Sequence, residues 1–192
     1  MTEGQWELIR RIVAVLAAVA FAGFLVLAFL DDATSRPVAP NGDMLGTEAG
    51  ESFEDYSARV AESLAAATDP AYALITFAEP LTPAEAAEVL EPLDRVNALV
   101  VALAPPFALP EPVDGETRAD VFDRELGRIG DSLAGIGNVP VPERVDAVVA
   151  HDTGNTLRVV ATDDAVATIE VLPPDAAWGR FGVRPVQVPN VP

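Results

Sequence analysis

His151 is the only histidine of the 192 residues and stands beside Asp152 and Thr153, so a base, an orienting carboxylate and a hydroxyl nucleophile fall within three positions. Such a set would suit a small hydrolase. Triads, however, converge from separated segments, and the chain has no nucleophile elbow of the G-x-S-x-G kind. The plainer reading is a strand-end histidine next to a turn aspartate. Cysteine is absent, which removes thiol nucleophiles, thiolate metal sites and disulfides, and one histidine is too few for a zinc centre. The acidic pairs Asp31-Asp32 and Asp163-Asp164 lack the spacing of a calcium loop. Gly127, Gly130, Gly135 and Gly137 follow a helical stretch and carry no lysine, so they read as a helix end and not as a phosphate cradle. The expectation is a protein that is not an enzyme, without catalytic, cofactor-binding or metal-binding residues.

Charge narrows the partners. The net charge is −18 and every basic residue is arginine. An excess of carboxylates repels phosphate backbones, so nucleic acid is not an expected ligand.

The run from Ile12 to Leu30 is uncharged and apolar throughout, long enough as a helix to cross a hydrocarbon core of roughly 30 Å. Arg10 and Arg11 precede it and Asp31 and Asp32 close it. By the positive-inside rule, residues 1–11 are then cytoplasmic and the rest extracytoplasmic, with the bilayer contacted through Ile12 to Leu30 alone. A cleaved signal peptide ending at Ala22 is the rival, but cleavage there would leave FLVLAFL exposed. This pattern predicts a single-pass plasma-membrane protein with a signal anchor.

Residues 31–50 are rich in Pro, Gly and Asp and read as a flexible stalk. An acidic α+β domain follows over 51–172. Phe53, Tyr56, Val60 and Leu64 share a helical face. A short β-rich run at 72–78 leads to Thr82, Pro83 and Glu85, the pattern of a capping box with proline at the first helical position. Val96 to Leu103 is a strand apolar on both faces. A proline-rich bridge separates it from a helix with Phe122, Leu126, Ile129, Leu133 and Ile136 on one stripe. Val145 to Ala150 and Val166 to Leu172 read as strands. Residues 156–162 between them fit a short helix with Leu157, Val160 and Ala161 inward, or a further strand of a meander. The Pro-rich extension 173–192 should run extended, with Trp178 and Phe181 pinned into the core.

Two strand–helix–strand units suggest a ferredoxin-like domain with extra helices, preceded by the transmembrane helix. Within it, Leu157, Val160-Ala161, Val166 and Ile169-Glu170-Val171 resemble the closing helix and strand of subtilisin-propeptide-type inhibitor domains over Val145 to Leu172. That resemblance implies regulation or inhibition of a secreted protease through the tail after the strand, where this chain continues as Pro173-Pro174-Asp175. The function expected first is an interaction or scaffolding protein of the cell envelope that presents a sheet face or its Pro-rich tail to a protein partner. A protease regulator comes next, and then a hydrolase using His151.

Overall fold

The computed structural model describes residues 42–102, 104–134, 136–137 and 139–189. Their elements in chain order are β1 (Met44–Leu45), α1 (Phe53–Ala66), β2 (Ala71–Leu81), α2 (Pro83–Val89), β3 (Arg95–Val100), β4 (Phe107–Ala108), α3 (Arg118–Leu133), β5 (Val145–Asp152), α4 (Gly154–Val160), β6 (Val166–Val171) and β7 (Gly182–Val183).

Each helix start is fixed by a local hydroxyl that accepts a backbone N–H otherwise left without a partner. Ser52, Thr82, Thr117 and Thr153 accept from Asp55, Glu85, Asp120 and Thr156 respectively. At Thr82 and Thr117 the third residue of the helix returns the bond through its carboxylate, closing a capping box. Helix α3 then buries Val121, Phe122, Leu126 and Ile129 as one stripe, while Ile136 beyond its end is exposed. Fully burying Phe122 is worth about 1.5–3 kcal/mol.

Strands β2, β3, β4, β5 and β6 form one sheet in the order β4-β3-β5-β2-β6, and every neighbouring pair is antiparallel. The two strands of each strand–helix–strand segment are separated by one strand of the other segment, so none are parallel neighbours. Alternation along β2 sends Ala71, Ala73, Ile75 and Phe77 into a core shared with Leu90, Phe122 and Leu157. Leu74 faces the opposite way, into a second core with Ala98, Val100, Val149 and Leu45.

That second face is closed by a small parallel sheet in which Met44 pairs with Gly182 and Leu45 with Val183. Leu45 is fully buried, and Phe181, Val183 and Val186 pack beside it. Residues 42–50, expected to belong to a stalk, therefore form part of the packed structure. Phe181 joins the core as expected, whereas Trp178 is 44% exposed. Residues 154–160 are helical, since Thr153 caps them and Leu157 and Val160 are buried on one side.

The expected organisation, a transmembrane helix followed by a ferredoxin-like domain of two βαβ units with extra helices, is corrected to a mixed α+β fold with four helices and two sheets among the described residues, in which the two strand–helix–strand segments persist with their strands interleaved. Pairing supplies the physical reason: the bridge contributes β4 to the edge of the main sheet, and the supposed stalk and extension pair with each other. No helix among the described residues is long and apolar enough to cross a membrane. Their longest helix, α3, has 16 residues and carries charge on its outward side, which lipid would leave unsolvated. Single-pass, signal-anchored plasma-membrane placement, with an extracytoplasmic envelope domain, is thus unsupported by the described structure. The run at 12–30 on which it was based lies outside the described residues.

Candidate functional site

The fold disperses the residues that sequence brought together. His151 and Asp152 are successive on β5 and point to opposite faces of the sheet. The His151 ring lies 4.6 Å from that of Tyr72, whereas the buried Asp152 accepts the backbone N–H of Asp94 at 2.8 Å and of Thr153 at 2.7 Å. The Thr153 hydroxyl is occupied as the cap of α4. Asp152 therefore pins two chain segments and does not orient an imidazole. Asp163 accepts the N–H of Ala165 and shapes a turn, and no cluster of three metal-ligating side chains occurs among the described residues.

Around Tyr72 the aromatic rings form a group of their own. Trp178 lies 5.7 Å from Tyr72 and Phe181 5.1 Å, with Trp178 and Phe181 edge to face at 5.9 Å. This stack holds the tail against the sheet.

A buried carboxylate anchors the β6 edge of the main sheet. Glu170 on β6 is almost inaccessible and accepts from Arg59 at 2.6 Å, from the Tyr56 hydroxyl at 3.3 Å and from the Gly46 backbone N–H. Arg59 also grips Glu51 through two bonds of 2.8 and 3.0 Å and donates to the Gly46 carbonyl at 3.2 Å. The bond from Arg59 holds the Glu51 carboxyl down to about 2, and Glu51 in turn raises the Arg59 guanidinium above its ordinary range. Burial pushes the Tyr56 hydroxyl up, and the Glu170 charge beside it adds to that. Every partner in this group is supplied by the chain itself, so its chemistry is structural.

An open cleft lies where β2 leaves β5. Pairing runs from Ala71–Asp152 to Thr76–Ala147, then breaks and resumes only at Leu81–Val145. Residues 77–80 thus stand opposite Asp146 alone. Pro80 belongs to this bulge, as a proline in a central strand must, because it has no N–H to give the ladder.

Asp146 uses its carboxylate to accept the N–H of Ala102 at 2.7 Å, and Ala102 sits at φ +49, a left-handed conformation that costs an ordinary residue roughly 1–2 kcal/mol. Thr76, Phe77, Pro80, Ala102, Asp146 and the tail segment 186–189 line a cleft of about 490 Å³. The Thr76 residue is 2% exposed and its hydroxyl oxygen has no hydrogen-bond partner among the described residues. Leaving such a group unpaired costs on the order of 1–3 kcal/mol.

No protein-family model matches this chain, and no match is found among curated proteins or solved structures. The cleft is therefore read on its own geometry. It combines a strained backbone position, a carboxylate and apolar walls, which suits recognition of a ligand that brings both donors and apolar surface. Sequence reading missed Thr76, Ala102 and Asp146. Its one available signal was Pro80 closing an otherwise regular β run, since a proline there demands a bulge or an edge.

Proposed function

We propose that this chain is a non-enzymatic interaction protein whose binding site is the cleft between the β2 bulge and the Pro-rich tail. The observation that carries the reading is the open cleft itself, in which the Asp146 carboxylate lies among apolar residues of the bulge and the tail. The free face of the sheet, an alternative docking surface, is already covered by β1, β7 and the tail. The tail instead forms one side of the cleft, so a protein segment laid there would touch sheet and tail together. The acidic balance of the chain argues for a protein or peptide partner over nucleic acid.

Photo-crosslinking tests this directly. A crosslinker placed at Gln187, in the cleft wall, should capture a partner that one placed at Val159, exposed on α4, does not. Identical products from both positions would remove the cleft from consideration.

A further inference from the structure

Resting on that reading of the cleft, we infer that its occupant is a cationic side chain, lysine or arginine, carried on an apolar-flanked segment of a partner protein. The polar side chains offered to the cleft, the Asp146 carboxylate and the Gln187 amide, can accept hydrogen bonds, and none of the described lining residues is basic. Only one Asp146 oxygen is used by Ala102, and the other makes no hydrogen bond among the described residues. Phe77, Pro80, Val186, Val188 and Pro189 supply the apolar walls.

A carboxylate between apolar walls binds a cation more strongly than one in open water, because the lower local dielectric strengthens the attraction. Long alkyl stems, as in lysine and arginine, match the walls while their heads reach the acceptors. The −18 charge of the chain would draw such a segment in from a distance. Arg144, at the Pro80 end, does not fill the role. It donates to the Pro80 carbonyl at 2.9 Å and lies 4.0 Å from Glu85, on the side of α2.

The test uses the full chain, isotope-labelled, titrated with acetyl-Pro-Arg-Val-amide, with its lysine analogue and with its citrulline counterpart, which keeps the shape and loses the charge. The arginine and lysine peptides should shift the Phe77 and Ala102 amides saturably, and the citrulline peptide should bind about tenfold more weakly or worse. Asp146→Asn keeps an oxygen for the Ala102 N–H, so an unchanged Ala102 signal in the free protein reports an intact loop. This variant should lose the preference for charge. Equal binding of arginine and citrulline peptides, or no effect of Asp146→Asn, would overturn the cationic assignment. So would silence from all three peptides while the Gln187 crosslink still forms, an outcome that leaves the cleft as the binding site. Loss of the crosslink itself would instead count against the function proposed above.

Discussion

Arg59 on α1 meets Glu170 on β6 at 2.6 Å, and through this pair a helix, a sheet edge and the segment around Gly46 are held as one unit. The two partners are unequally buried: Arg59 keeps 38% of its side-chain exposure and Glu170 keeps 5%. Removing the cation should therefore cost more than neutralising the acid, because it strands a buried charge. Arg59→Met is expected to lower unfolding free energy by about 2–4 kcal/mol, and Glu170→Gln by less. Urea denaturation with an unchanged slope measures both. A loss for Arg59→Met within about 0.5 kcal/mol would show that the pair contributes little.

Glu51 gives the acid side of the stability curve a specific slope. Its carboxyl is held at about 2 when folded, below the ordinary 4.5, by the bond from Arg59. A depressed folded value means stabilisation that is complete above 4.5 and is lost as pH falls towards 2. Glu85, Glu116 and Asp120 are lowered in the same sense by their hydrogen bonds to Thr82, Arg124 and Thr117. Thermal unfolding followed from neutral pH down to 2 should show a falling melting temperature. In Glu51→Gln that fall should be shallower within this window and unchanged above it.

Two glycines share a left-handed backbone and differ in what surrounds them. Gly46 has φ +100, and a Cβ there would lie 2.1 Å from the Arg184 carbonyl oxygen, just past the end of β7. Gly50 has φ +82 with nothing near. Gly50→Ala should cost about 1 kcal/mol, the conformational penalty alone. Gly46→Ala should cost clearly more and should loosen the β1–β7 pairing, seen as faster exchange of the Arg184 amide, which donates to Leu45 at 2.8 Å. Similar losses for both would mean that the close approach relaxes freely.

Thr82→Ala removes one half of the capping box on α2, whose other half is the Glu85 carboxylate. The expected loss is about 1 kcal/mol by urea denaturation. Thr82→Ser should recover most of it, because the hydroxyl is what the cap uses.

What the sequence disclosed follows the range of the forces involved. The Thr82-Pro83-Glu85 start of α2 and the apolar stripe of α3 were legible because caps and helical faces are settled within a few residues. Residues 156–162 stood between helix and strand until their surroundings were known. Gly154 packs so closely on the Ala67 carbonyl that a Cβ there would lie 2.1 Å away, and Arg158 donates to the same carbonyl at 2.8 Å. Both fix a helix from outside it. Strands β1 and β7 are two residues each and exist only because they pair with each other, which no local pattern announces. Nothing near Glu170 in the sequence accounts for a buried carboxylate, and only Arg59 and Gly46, far away in sequence, explain its burial. The cleft was hidden for the same reason: Asp146 faces a gap made by the bulge of another strand.

The pairing of β1 with β7 also sets an order of events during synthesis. Leu45 leaves the ribosome well over a hundred residues before the residues that seal it, Phe181 and Val183. Until they emerge, Leu74, Val100 and Val149 line an uncovered apolar sheet face. The nascent protein must carry that sticky surface from the completion of β5 until β7 emerges, and a ribosome stalled before position 181 would release a product prone to self-association.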